Sequence, residues 1–266
     1  MIVRILAAVV ALAVLIPILA FGGELGVQLL VPLVGIICVN EYAGMAFPKR
    51  RVTMIPLIAI GSGALYASLL YGESSASVPA TFGLVVMLLQ MATLFGGSRT
   101  GVEGRSDDLG RLFTGVFWVA LLVFVPLLRE FGLIWLVMAL CIAWSSDTGA
   151  YFAGRLLGRR KLYPLISPNK TWEGAIGGLF ACIGTVMLLN TFFQLQMEWY
   201  VCVVVAVLCG SLSVVGDLVE SLMKRSYGVK DSGRIMPGHG GLLDRIDSLL
   251  FVCPALFTCI HMFNVG

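Results

Sequence analysis

Acidic side chains are concentrated in the segment 216–247, which reads GDLVESLMKRSYGVKDSGRIMPGHGGLLDRID. Asp217 and Glu220 stand three residues apart, as do Asp244 and Asp247, so each pair shares one face of a helix. Where two such helix ends meet, the carboxylates repel one another unless a cation compensates them. Carboxylate oxygens beside phosphate groups are typical of Mg²⁺ sites. The segment therefore predicts either a magnesium site or a set of salt bridges.

Basic side chains are interleaved with these carboxylates. The alternative without a metal is salt bridging, for example of Asp244 with Arg245 or with Lys224. The same cations could instead bind phosphate, because lysine offers a mobile ammonium group and arginine a forked set of donors. The remaining basic residues of the segment are Arg225, Lys230 and Arg234.

A glycine-rich loop, PGHGG at 237–241, separates the two carboxylate pairs. Gly238, Gly240 and Gly241 permit positive φ angles and let backbone N–H groups approach an anion closely. The start of the next helix favours phosphate for the same reason. His239 lies inside this loop, where phosphate binding, acid–base work and a structural hydrogen bond are all compatible with its position.

A second polar stretch, at 144–174, reads WSSDTGAYFAGRLLGRRKLYPLISPNKTWEG. Asp147 falls within a hydrophobic run, where an unpaired carboxylate costs several kcal/mol, so it needs a partner and a functional role is expected. The stretch 167–173 is a polar turn in which Thr171 or Asn169 could cap the following helix and Glu173 could complement its dipole. The functional alternative points Lys170 at a nucleotide phosphate, with Asn169 and Glu173 orienting the substrate. The basic run 155–161 is explained by attraction to anionic lipids.

Both stretches are embedded in a chain that must lie in a membrane. Apolar residues make up 59% of the 266 positions, charged residues 12%, and the mean hydropathy is +0.96. A chain with so little charge cannot cover a water-facing surface. Runs of about 17 to 25 apolar residues are typical of membrane-spanning helices. We count nine, with the first interpreted as a retained helix rather than a cleaved signal peptide: 5–21, 25–47, 52–71, 78–95, 112–128, 131–152, 174–193, 199–223 and 248–263.

The distribution of positive charge predicts the orientation. Of the 18 Lys and Arg residues, all but Arg129 fall on one set of loops and helix ends. The positive-inside rule then predicts a cytoplasmic N-terminus, an external C-terminus and a polar site on the cytoplasmic face.

The seven cysteines form no CxxC pair and lie in apolar runs, so we expect unpaired side chains. A net charge of +3 gives no reason to expect a nucleic-acid partner.

The segment 221–247 resembles the signature of phosphatidate cytidylyltransferases, also called CDP-diacylglycerol synthases. The matching motifs are SxMKR, KDSG and PGHGGxxDRID, and SDTGAYFAGRLLGRRKL and SPNKTWEG are similar to the same family. The resemblance covers 146–247; before that, only hydrophobic character and span count match. It implies a helical membrane protein in which CTP and phosphatidate give CDP-diacylglycerol and pyrophosphate with Mg²⁺.

Carried onto this sequence, the resemblance implies that Asp217, Asp244 and Asp247 are the metal-site carboxylates, with room for a second cation. It also implies a homodimer in the cell (inner) membrane, in contact with membrane lipid.

We expect a single domain over 1–266, in which 1–140 mainly anchors the protein and 141–266 is catalytic. The alternatives are a CTP-dependent kinase of polyprenol or phytol, and a transporter. Further signature residues with catalytic or substrate-binding roles are Lys224, Arg225, Lys230, Asp231, His239 and Arg245.

Overall fold

The protein is a bundle of long helices, as seen in a computed structural model that describes residues 2–72, 77–95, 102–236, 238 and 240–265. The helices are α1 Ile2–Phe21, α2 Gly23–Ala46, α3 Arg51–Tyr71, α4 Ser77–Phe95, α5 Val102–Ala120, α6 Phe124–Glu130, α7 Leu133–Leu157, α8 Trp172–Phe193, α9 Trp199–Ser226 and α10 Leu243–Phe263. Two short strands, β1 Lys161–Tyr163 and β2 Ser167–Thr171, lie between α7 and α8.

Eight spans within the described residues are long and apolar enough to cross a membrane. They correspond to eight of the nine predicted runs, while α1 covers the remaining run, 5–21, whose crossing stays a prediction. Large apolar side chains such as Leu33, Phe180 and Leu188 are exposed on the outer faces of the helices, as contact with lipid requires. The expected class, an all-α polytopic membrane protein, is confirmed.

The fifth span differs from its predicted form, 112–128. Its helix begins at Val102, so most of the polar stretch expected to be a loop is the first turns of α5. The span is also interrupted, because a 3₁₀ turn at Leu121–Val123 separates α5 from α6. Pro126 lies just after this turn and has no N–H to donate to the preceding helical turn, which explains the break.

The polar stretch before α8 also differs from expectation. Residues 161–171 form an antiparallel hairpin rather than a simple turn, with Lys161 opposite Thr171 and Tyr163 opposite Ser167. The hairpin continues into α8, since Trp172 N–H donates to the carbonyl of Arg160 at 2.9 Å. It therefore holds Lys170 at a fixed place beside the end of the bundle.

Helices α7 and α8 pack closely along small residues. A Cβ added at Gly149 of α7 would lie 2.6 Å from the Cβ of Ala181, and one at Gly178 of α8 would lie 2.7 Å from the carbonyl oxygen of Ser146. Small residues allow this approach, which is how helices associate without a hydrophobic driving force in lipid. The glycines and alanines of the SDTGAYFAG motif are thus the packing surface that carries Asp147.

Helices α9 and α10 cross next to the acidic residues. A Cβ at Gly216 would lie 2.8 Å from the carbonyl oxygen of Asp247 and 3.1 Å from the ring of Phe251. This contact places Asp217, the residue after Gly216, beside the first turns of α10.

The seven cysteines are all unpaired and, except for Cys141, buried in the helical core, as expected.

Candidate functional site

Lys224 joins the two acidic helix ends. Its Nζ lies 2.8 Å from Oε2 of Glu220 on the same helix and 2.6 Å from Oδ1 of Asp244 on α10. All three side chains are almost fully buried, with exposed fractions of 11%, 0% and 6%. The expected meeting of the α9 and α10 ends is confirmed, and the salt bridge of Asp244 with Lys224 that we considered as the alternative is present.

The second oxygen of Asp244 is also occupied by protein donors. Oδ2 accepts from the backbone N–H of Ser232 at 2.9 Å, from its hydroxyl at 2.9 Å and from the N–H of Gly241 at 2.8 Å. In the bond from Gly241, a side chain in the first turn of α10 reaches back to the backbone just before the helix. Asp244 therefore ties the glycine-rich loop to α10, and its role as a metal ligand stays a prediction.

The hairpin reaches the site through Lys170. Its Nζ lies 2.6 Å from Oδ2 of Asp217, and both side chains remain about a quarter exposed, at 25% and 29%. Asp147, from α7, lies within electrostatic range of Asp217, Lys170 and Arg245, so the partner that its carboxylate requires is present. These four residues from α7, the hairpin, α9 and α10 thus face one another at one end of the bundle.

Carboxylates outnumber cations in this cluster. Among the described residues, the cations found beside Asp147, Asp217, Glu220, Asp244 and Asp247 are Lys170, Lys224 and Arg245. Buried and partly buried carboxylates are costly to hold together without compensating positive charge. The excess of negative charge is the property that the sequence patterns predicted, and it favours binding of a cation.

The donor set fits Mg²⁺. Oε1 of Glu220 is buried and, among the described residues, receives no hydrogen bond, while Asp247 is its close neighbour. Asp247 in turn lies within electrostatic range of Asp217. The described residues contain no group of three His, Cys, Asp or Glu side chains already gathered around one point. That is compatible with Mg²⁺, which binds through one or two carboxylates together with waters and substrate phosphates.

The glycine-rich loop adopts the backbone that its sequence predicts. Gly238 and Gly240 have φ angles of +76° and +84°, which residues with a side chain rarely adopt. Met236 N–H donates to the carbonyl of Gly240 at 3.0 Å and closes the loop. His239, to which we assigned a catalytic or structural role, lies outside the described residues.

The other predicted substrate residues lie around the cluster rather than in it. Thr171 is the cap of α8, since its Oγ1 accepts from the N–H of Gly174 at 3.1 Å. Glu173 accepts from the backbone N–H groups of Arg159 and Arg160 at 3.1 and 3.2 Å, so it holds the start of the hairpin. Its role in orienting substrate stays a prediction. The remaining predicted members, Asn169, Arg225, Lys230 and Asp231, are exposed, and their roles stay predictions.

One buried residue of the site was missed by the sequence analysis. Glu41 lies near the end of α2, within the part assigned mainly to anchoring, and is only 4% exposed. Its carboxylate accepts from the N–H groups of Leu242 and Leu243 at 3.0 and 2.9 Å, where α10 begins. The signal was available, because a lone carboxylate within the apolar run 25–47 is as unusual as Asp147 in its own run.

The next residue of α2 makes a second set of polar contacts at this end of the bundle. Tyr42 donates its hydroxyl to the carbonyl of Arg111 at 2.8 Å and lies 2.8 Å from the hydroxyl of Tyr227. Arg111 donates to the carbonyl of Ala46 at 2.8 Å and stacks over the ring of Tyr227. Helices α2, α5 and α9 are therefore joined beside the acidic cluster.

Comparison with known proteins gives one consistent result. The model of a family described as the cytidylyltransferase family matches residues 2–263. A phosphatidate cytidylyltransferase of Staphylococcus saprophyticus is 35% identical over 258 residues, and one of Staphylococcus aureus is 36% identical over 263 residues, each match covering 96% of both chains. One of Staphylococcus epidermidis is 49% identical over 128 residues, which is 48% of this chain and 49% of that protein. Since the family model and the first two relatives match almost the whole chain, it belongs to the cytidylyltransferase family.

Proposed function

We propose that the protein transfers the cytidylyl group of CTP to phosphatidate and releases CDP-diacylglycerol and pyrophosphate. The observation that carries the proposal is the acidic cluster at the α9–α10 crossing, in a chain whose relatives bear the name of this activity. The reaction belongs to phospholipid biosynthesis. A membrane-embedded site suits it, since one substrate is a lipid and the other a soluble nucleotide.

The chemistry requires positioning and charge compensation rather than a protein nucleophile. An oxygen of the phosphatidate phosphate forms a bond to the α-phosphorus of CTP, and the bond from that phosphorus to the β-phosphate oxygen breaks. In-line geometry and neutralisation of two polyanions account for most of the rate enhancement in such transfers. Lys170 and Arg245 supply positive charge at the mouth of the cluster, and the Gly238–Gly240 turn supplies a backbone that an anion can approach.

A Mg²⁺ ion would be held by Asp217 and Asp247, with Glu220 as their buried neighbour. When bound, the ion supplies Lewis-acid stabilisation of phosphate oxygens. Asp244 and Lys224 then act as the support of this pair, because both are already engaged with each other and with the loop. A second cation remains part of the proposal.

The site opens toward the cytoplasm in this proposal. The positive-inside distribution supports that orientation, and CTP is a cytoplasmic nucleotide. The resemblance to the family also supports a homodimer in the cell membrane. Native mass spectrometry from detergent tests the homodimer, and labelling of an introduced cysteine at Lys230 in sealed vesicles tests the orientation.

Turnover by purified protein tests the activity. CTP labelled at the α-phosphorus and phosphatidate should give labelled CDP-diacylglycerol, unlabelled pyrophosphate and no product in EDTA. In a parallel reaction with CTP labelled at the γ-phosphorus, label in the lipid together with release of CDP would identify a lipid kinase and overturn the proposal. Asp247→Asn should abolish product formation, whereas Asp107→Asn, an exposed carboxylate on α5, is the matched control and should leave it unchanged.

A further inference from the structure

The first turn of α10 carries Asp244, Arg245 and Asp247 but does not cap itself. The residue that precedes the helix, Leu242, has no side-chain acceptor, so the first N–H groups of α10 need partners from elsewhere. A helix start with unpaired donors frays, and fraying here would move the carboxylates of the site.

Glu41 supplies the missing acceptors from more than 200 residues away in the chain. Its Oε1 accepts from Leu242 N–H at 3.0 Å and its Oε2 from Leu243 N–H at 2.9 Å. The hydroxyl of Ser232 lies 3.4 Å from Oε2, so the same carboxylate also contacts the segment before the glycine-rich loop. Ser232 is thereby shared between Glu41 and Asp244.

The loop leaves room for this carboxylate by using glycine. A Cβ added at Gly241 would lie 2.6 Å from Oε2 of Glu41, and one at Gly233 would lie 2.8 Å from its carboxyl carbon. Neither distance is tolerated between unbonded atoms. The glycines of the KDSG and PGHGG motifs therefore serve partly to admit Glu41, in addition to forming the turn.

We infer that Glu41 is a positioning residue of the site, which fixes Ser232 and the start of α10 so that Asp244 and Asp247 face Lys224 and Asp217. The inference rests on the proposed function and adds α2 to the machinery that performs it. Glu41 acts through the two backbone N–H groups and the hydroxyl of Ser232.

A carboxylate is required because two different oxygens accept from two different donors. In Glu41→Gln, one oxygen becomes an amide NH₂ that faces a backbone N–H, so one hydrogen bond is replaced by a contact between donors. The substitution keeps the size of the side chain and its packing. Hydrogen bonds to charged acceptors are among the strongest in proteins, so this loss is concentrated where α10 begins.

The neighbouring Tyr42 provides a matched control. It is also buried and also joins helix ends, but its hydroxyl contacts Arg111 and Tyr227 rather than α10 or the loop. Tyr42→Phe removes these hydrogen bonds with little change in volume. If Glu41 were merely structural, both variants would lower the melting temperature and neither would alter catalysis specifically.

The test combines turnover with amide hydrogen exchange of the full-length protein in nanodiscs. In Glu41→Gln we expect kcat to fall about 100-fold, as for a small displacement of catalytic groups, with a much smaller change in the KM for CTP. Exchange of the peptide that contains Leu242 and Leu243 should become about tenfold faster, the factor for one lost hydrogen bond to a charged group. Tyr42→Phe should match the wild type in kcat and in exchange of this peptide.

The two readouts separate failure of this inference from failure of the proposed function. Unchanged exchange in Glu41→Gln, or unchanged kcat in an active protein, would overturn the role of Glu41. A wild-type protein without turnover would contradict the proposed function. The exchange measurement would then still test whether Glu41 holds the start of α10. Equal loss of kcat in Tyr42→Phe would also overturn the inference, because the effect would then be general.

Discussion

The α7–α8 pair and the α9–α10 pair both bring polar side chains to the site, but different forces hold them. Helices α7 and α8 are held by close contact of small residues such as Gly149 and Gly178, with the hairpin extending from their ends. Helix α10 and its loop are held by buried carboxylates, Asp244 and Glu41, which accept five backbone and hydroxyl hydrogen bonds at 3.0 Å or less. Packing supports the α7–α8 side of the site, whereas the α10 side has these hydrogen bonds in addition to the packing at Gly216.

The difference has a consequence for substitutions. A packed helix pair tolerates changes in polarity away from the contact but not changes in volume. A carboxylate that accepts several bonds tolerates small changes in volume but not loss of an oxygen. The Lys170–Asp217 ion pair links the hairpin directly to α9, and it is partly exposed. Substitutions of Lys170 or Asp217 should therefore change activity with little effect on the α7–α8 packing or on the hydrogen bonds that hold α10.

Among substitutions that test the comparison of the two sides, the largest effect is expected for Asp217→Asn. We expect turnover to fall at least about 1000-fold, or about 4 kcal/mol of transition-state stabilisation, because the cluster loses a carboxylate beside the reacting phosphates. The melting temperature should change little, since partly exposed ion pairs contribute about 0–1 kcal/mol. Turnover and thermal melting in the same detergent measure both. A large fall in Tm would show that Asp217 stabilises the fold, as we expect of Asp244, rather than only joining the hairpin to α9.

Asp244→Asn should mainly reduce stability. It weakens a buried ion pair and places an amide against several donors, for which about 3 kcal/mol is expected because Glu220 still pairs with Lys224. At about 2–4 °C per kcal/mol for a chain of this size, the midpoint of thermal unfolding should fall by about 6–12 °C. Asp231→Asn, an exposed neighbour, is the stability control. Equal midpoints for the two variants would contradict the supporting role of Asp244.

Gly178→Val tests the packed side of the comparison. The added side chain meets the backbone oxygen of Ser146, so we expect a loss of about 2–3 kcal/mol by overpacking. Gly184→Val lies on the same helix, where a Cβ would have nothing within 4 Å, and it should be nearly neutral. Thermal melting of both variants measures the difference. Similar destabilisation would mean that helix propensity, and not the α7–α8 contact, is responsible.

The smallest effect is expected for Thr171→Val, which keeps the shape of the side chain and removes the cap of α8. Loss of such a cap costs about 1 kcal/mol. Turnover should fall only slightly, because Lys170 stays on the hairpin. Thr171→Ser retains the hydroxyl and should behave as the wild type. A large loss of turnover in Thr171→Val, with Thr171→Ser as active as the wild type, would place the Thr171 hydroxyl among the substrate contacts.

Local pattern predicted the elements of this protein well and their irregularities less well. Apolar run length located the spans, and the spacing of Asp217 with Glu220 and of Asp244 with Asp247 predicted their convergence. The break near Pro126 and the hairpin before α8 were missed, since short strands and single 3₁₀ turns give no periodic signal. The roles expected for exposed residues such as Lys230 stay predictions.

The sequence by itself determined the membrane environment, the apolar helices and the concentration of carboxylates, lysines and glycines in two stretches, because composition and spacing act locally along the chain. Only the tertiary structure decided which carboxylates are supports and which face the open cluster. Asp244 and Glu41 differ from Asp217 and Asp247 in the backbone and hydroxyl donors that surround them, and the donors to Glu41 come from a distant segment of the chain. Burial and pairing across the chain set that difference, and no local pattern encodes them.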